Sequence, residues 1–215
     1  MIANQTLVAS DGYEVALFPL EYLFMTQDEG GDYSHYGTYN IDFVGYNGSS
    51  VINQAPLYAP VTMRLISYMP EYNNGNGEIW VSTNPVHLAN GQLDYLSIWV
   101  VHCNNPPYTS IGTVVNQGQL FYRTGDYGYA TGDHVHICVG QGQNPYLVRR
   151  ASGNTDLSNR IHMWDGLYVN NTPIIQGYGH DWKEYTAPVI PPKVWGKGKK
   201  DKFPFPIAWA SWGYR

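Results

Sequence analysis

The chain has 215 residues, 43% of them hydrophobic and 13% charged, and a formal net charge of −5, which is enough for one compact, catalytic-sized domain with a core of its own. Its 19 tyrosines, 7 tryptophans and 23 glycines favour a β-dominated, turn-rich fold over a helical one. No stretch approaches the roughly 20 uninterrupted apolar residues of a membrane helix, and residues 1–15 lack a basic segment followed by an apolar one, so neither a membrane partner nor a signal peptide is expected.

Taken in chain order, the first patterned segment runs from Gly31 to Phe43 and places His35 and Asp42 on either side of a glycine-containing turn. Asp42 stands between Ile41 and Phe43, and a carboxylate buried in such a strand is costly unless it is paired or coordinated to a cation. Alternating apolar and polar positions then predict strands at 78–81, 95–101 and 134–139. Turn signals separate them: Asn47-Gly48, Asn73 to Gly77, Asn90-Gly91, Asn104 to Pro107, Gly125-Asp126 and Gly140 to Gly142. His102 stands where the alternation of the second strand stops, and by itself it reads as a strand-end histidine facing solvent.

Cys103 and Cys138 each sit inside an apolar run, where a buried free thiol is favoured over a bridge. Residues 141–163 are weakly patterned and predict a loop insertion with a little helix. Beyond them, Pro188, Pro191 and Pro192 signal an extended linker. The segment from Lys193 onward carries a net +5 and leaves −10 on the 192 residues before it. A short lysine run of this kind reads first as a solvated segment, and no nucleic-acid partner is expected.

His134-Val135-His136 falls within the third predicted strand. Residues i and i+2 of a strand project from the same face, so both imidazoles can converge on one small volume. The spacing alone fits two solvated histidines on an exposed face at least as well. A catalytic zinc takes three protein ligands from His and Asp/Glu and leaves the fourth position to water, and the chain offers two histidines and an aspartate for such a set, with further histidines to handle protons.

Ser34-His35-Tyr36-Gly37-Thr38-Tyr39-Asn40-Ile41-Asp42-Phe43 resembles the first motif of the M23 (lysostaphin-like) zinc metallopeptidases, and Thr131-Gly132-Asp133-His134-Val135-His136-Ile137 resembles their HxH motif. Between them Leu57-Tyr58-Ala59-Pro60-Val61, Val101-His102 and the glycine-bearing stretch from Val115 to Gly128 resemble the family's intervening features. The likeness covers about residues 30–140, with a weaker echo to about 185. It implies a mainly β fold in which an antiparallel sheet floors a groove, with long loops and little helix. Residues 1–187 would form the peptidase domain, and 188–215 a linker with a basic, aromatic tail.

The same resemblance implies that His35, Asp42 and His136 bind Zn2+, that His102 and His134 are the catalytic residues flanking the attacking water and the scissile carbonyl, and that the substrate is the stem peptide or cross-bridge of bacterial peptidoglycan. One departure is the gap of six residues between His35 and Asp42, longer than the family's commonest spacing. The lack of a signal peptide looks like a bacteriophage protein, either an endolysin released into the host at lysis or a virion tail lysin with tail proteins as partners. Two rival readings are a non-catalytic tail or wall-binding module and a scaffold with a purely structural zinc. The presence of all five motif residues argues against the first; the placement of Cys138 on the strand face opposite His134 and His136 is taken to argue against the second. His87, His162 and His180 are read as non-ligands, and Tyr33, Tyr36 and Tyr39 are not assigned to the site.

Overall fold

A computed structural model describes residues 1–188, so the linker and tail expected over 188–215 lie, from residue 189 on, outside the described residues. The main sheet contains β1 (Leu23–Gln27), β2 (Ile41–Phe43), β3 (Met63–Met69), β4 (Gly77–Ser82), β5 (Leu96–Val101), β6 (Val114–Val115), β7 (Val135–Gln141), β8 (Arg160–Ile161) and β9 (Ile174–Gln176). They run in the order β6-β3-β4-β5-β7-β2-β1-β9, and β8 follows β2 along the same edge of β7. Pairing is antiparallel throughout except between β1 and β9. Mainly β with long loops and little helix is therefore the observed class.

The three strands read from alternation are β4, β5 and β7, at the centre of the sheet. Every residue of β4 and β5 is buried, which is why their sequences carry so many branched and aromatic side chains. One face packs on a core that includes Phe18, Phe43, Trp80, Phe121 and Tyr122, with Trp80 edge-on to Phe121 at 5.8 Å and 83°. The first twenty residues lie across this body: Met1, Val15 and Leu17 form a second cluster with Ala89 and Tyr168. No helix among the described residues is long and apolar enough to cross a membrane.

Two expectations are corrected. Residues 141–163 hold a β-hairpin, Leu147–Arg149 paired with Thr155–Leu157, and the single helical turn follows at Met163–Gly166. Turn chemistry wins over helix there: Gly153 adopts φ 90°, the Arg150 N–H donates to Asn154 O at 2.7 Å, and buried Asp156 accepts from both Arg150 and Arg160. Cys138 shares the parity of His134 and His136 and hence their strand face. It packs with Ile79, Trp99, Val101 and Leu157, and both cysteines are buried and free.

Glu78 of β4 is wholly buried. It accepts the Trp80 indole N–H at 2.6 Å, but its other carboxyl oxygen has no partner. Burial pushes its pKa up to about 8, against the opposing Trp80 hydrogen bond. The folded protein therefore holds a proton that the unfolded chain releases near pH 4.5. Stability from this group is complete below that pH and falls as pH rises toward 8, by on the order of 3–5 kcal/mol. Glu78→Gln should flatten this decline, as read from urea midpoints between pH 5 and 9; parallel curves for parent and variant would refute the assignment.

Candidate active site

Sheet register assembles the site. Asp42 of β2 lies directly opposite His136 of β7, and Val101, the last residue of β5, lies opposite His136 on the other side. Directly paired residues share a face, so Asp42 and His136 stand side by side while the chain turns out of β5 at His102. His134 is two residues before His136, at an isolated bridge to Gly125. His35 comes from the loop before β2 and is held by its own N–H to Gly31 O at 3.2 Å and by Thr38, whose N–H and hydroxyl both donate to His35 O.

Three ligand-type atoms form a near-equilateral triangle. His35 Nε2 and His136 Nδ1 are 3.1 Å apart, His136 Nδ1 and Asp42 Oδ1 2.9 Å, and His35 Nε2 and Asp42 Oδ1 3.2 Å. Among the described residues these three are the cluster able to hold a metal ion. Tetrahedral zinc with bonds of about 2.0–2.1 Å has ligand edges of about 3.3 Å, so the set fits. The chemistry of the contact agrees. His35 Nδ1 donates to the Asp28 carbonyl at 2.9 Å, so in the neutral ring Nε2 offers only a lone pair to the Asp42 carboxylate. Two acceptors facing each other require a proton or a cation between them.

Electrostatics point the same way. Burial alone would raise the Asp42 pKa, but hydrogen bonds and charge from His136 and His35 outweigh it and hold the carboxyl far below the usual range. Burial lowers the pKa of His136 although Asp42 pulls it back up. The pair thus meets a cation as a carboxylate and a neutral imidazole, the forms that coordinate.

His102 and His134 stand next to the triangle without joining it. Their rings are 4.5 Å apart, and His134 Nε2 remains 3.8 Å from Asp42 Oδ1. Each donates Nδ1–H to a main-chain carbonyl, His102 to Tyr127 at 2.9 Å and His134 to Gly132 at 2.8 Å, which leaves Nε2 as the free nitrogen. Burial and the neighbouring His134 push the His102 pKa down to about 4. His102 also holds φ 88°, a left-handed conformation rare for a residue with a side chain. Its backbone is pinned there by donation to Gly75 O at 2.7 Å and acceptance from Tyr127 N at 3.1 Å. Gly125 is required beside it, since a Cβ there would come within 2.2 Å of His102 O.

Asp42 and His136 of the triangle, with His102 and His134, line a groove of about 770 Å3, and His35 lies buried behind them. Trp99 and Val101 also line the groove, Tyr33, Tyr72 and Tyr129 stand at its exposed rim, and Gln27, Asn73, Asn74 and Asn154 supply amides. Of the three unassigned tyrosines only Tyr33 lines this groove. The fold brings together the five residues named from the sequence, His35, Asp42, His102, His134 and His136, but Asp28, Tyr127 and Gly132 went unnamed, because they act through backbone carbonyls and carry no side-chain signal. The Trp99 lining also went unnamed, since it reads in sequence as one more core residue.

No protein-family profile matches the chain. Morphogenesis protein 1 of Bacillus phage B103 is 32% identical over 174 residues, covering 81% of this chain and 45% of that protein; the chain thus spans less than half the length of this curated relative. Among solved structures, the catalytic domain of the antimicrobial peptidase lysostaphin from Staphylococcus simulans is similar at 17% identity and a TM-score of 0.36, over 59% of this chain and 80% of that one. The catalytic domain of the prophage-encoded M23 protein EnpA from Enterococcus faecalis is similar at 18% and 0.42, over 60% and 88%. A zinc-containing peptidase from Vibrio cholerae is similar at 17% identity and a TM-score of 0.44, over 73% of this chain and 46% of that one.

Proposed function

We propose that residues 1–187 form a zinc-dependent endopeptidase that hydrolyses peptide bonds in the stem peptides or cross-bridges of bacterial peptidoglycan, serving a phage in cell-wall lysis or penetration. The observation that carries this reading is the triangle of His35 Nε2, Asp42 Oδ1 and His136 Nδ1, two of whose residues line a groove. These three residues would hold zinc, which when bound polarises a carbonyl and makes water a nucleophile near neutral pH.

The chain's own contribution is to orient the peptide and handle protons. Tyrosines and side-chain amides around the groove offer stacking surface and hydrogen bonds to an extended backbone. His102, neutral and with Nε2 free, accepts the proton of the attacking water and returns it to the departing amine. His134, fixed by its Nδ1–H bond to Gly132 with its ring 4.5 Å from that of His102, lines the groove beside the triangle and would share in handling the attacking water and the developing oxyanion. Holding both rings by Nδ1–H bonds to carbonyls means that neither must reorient during turnover.

A structural role in the virion is the second reading, and the name of the B103 relative favours it. Purified peptidoglycan of several cross-bridge types, incubated with the protein, should release new free amino groups, and a zinc chelator should stop that release. Zinc-loaded protein that releases none from any wall would support the structural module instead. Partner tail proteins and a place in the virion belong to the same proposal, with immunoblots of purified particles as their test.

A further inference from the structure

Three histidines outside the zinc triangle and its flanks were read from sequence as non-ligands, and two of them meet at a distinctive feature. The Arg160 guanidinium lies 4.3 Å over the Tyr39 ring. Tyr39 stacks on His162 at 4.3 Å and 17°, His162 on Trp164 at 4.7 Å and 11°, and Trp164 on His180 at 3.7 Å and 13°. Both histidines in this run reach the same turn. His162 Nδ1 pairs with Glu29 Oε2 at 2.6 Å, and His180 Nε2 with both carboxylate oxygens of Asp28, at 2.7 and 2.9 Å. Residues more than 130 positions away in sequence thus tie down Asp28 and Glu29.

That turn is bonded directly to the site. Its Asp28 carbonyl accepts the Nδ1–H of His35, and this bond decides which ring nitrogen of His35 carries the proton and where Nε2 points. The far end of the run clamps the other side of the same loop: Arg160 donates to Gly37 O at 3.0 Å, and Tyr39 N–H donates to Asp156, which Arg160 also holds. Two carboxylates on neighbouring residues, each matched to its own histidine in one stack, exceed what a surface loop needs for attachment. His87 provides the contrast. It makes a similar pair with Asp11 at 2.9 Å, but neither residue is hydrogen-bonded to any of the five site residues.

We propose that the His162-Trp164-His180 stack is a positioning device for His35, which holds the Asp28 carbonyl in place so that Nε2 is presented unprotonated to the metal. The proposal rests on the zinc-peptidase reading but can be tested apart from it. The first readout is the nitrogen NMR spectrum of metal-free protein, where the parent should show the His35 Nδ1 proton held in its hydrogen bond to the Asp28 carbonyl. His180→Ala, and independently His162→Ala, should give a mixture of tautomers.

The second readout is zinc affinity by competition with a chromophoric chelator, expected to weaken about 10–100-fold in either variant. His180→Gln, which keeps a donor to Asp28, should recover most of the affinity, and His87→Ala should leave both readouts at parent values. Parent-like tautomer and zinc affinity within about twofold in the alanine variants would overturn the proposal. So would an equal loss in His87→Ala, which would mark general loosening of the fold. A parent that binds no zinc, yet whose His35 tautomer shifts in His180→Ala, would refute the zinc reading and leave the positioning role standing.

Discussion

Replacing His136 with alanine is expected to abolish zinc binding and hydrolysis together. His136 Nδ1 is the shared corner of the two shorter edges of the triangle, and its ring is the main hydrogen-bonding partner that holds Asp42 ionised against the cost of burial. Without it a carboxylate with only 8% of its surface exposed keeps one partner, His35, and two ligands cannot hold catalytic zinc in tetrahedral coordination. The loss of affinity should exceed the roughly 10–100-fold typical of removing a partner behind a ligand. Chelator competition reads the metal and amine release from peptidoglycan reads the activity. Retention of parent zinc affinity by His136→Ala would remove the residue from the ligand set.

His134→Ala is expected to behave differently: zinc stays and turnover falls by roughly 10²–10⁴-fold, the usual size of a lost proton-handling group. The distinction rests on distance, since His134 Nε2 stops 3.8 Å from Asp42 Oδ1 whereas His136 Nδ1 comes to 2.9 Å. His102→Ala should share this pattern, because its free Nε2 belongs to a ring fixed by the Tyr127 carbonyl rather than by the triangle. The informative comparison is the ratio of zinc loss to activity loss in His134→Ala against His136→Ala. If His134→Ala shed zinc as readily, the division between ligand and catalytic residue would be wrong.

Much of this was legible before any coordinates. A two-residue period in 95–101 and 134–139 yields strands because alternate side chains must separate onto two faces, and those runs became the central pair of the sheet. The parity of His134 and His136 puts both on one face for the same reason, and the same parity puts Cys138 there, against the expectation that it faces the other way. The hairpin at 147–157 was missed because its stability lies in a buried aspartate bridging two arginines, a contact that no local period announces.

By itself, the sequence determined the β-rich class, the central strands and the turns, and it named five residues that the fold brings together, because side-chain alternation, turn chemistry and a motif are local properties of the chain. Tertiary structure alone decided that Asp42 faces His136 across a ladder, that three of the histidines are oriented by backbone carbonyls, and that His162 and His180 reach back to the turn before His35. The physical reason is that register and backbone acceptors arise only when segments distant in sequence meet. A histidine's residue type states what it can bind, while the partner on its second nitrogen determines which nitrogen is free to do so.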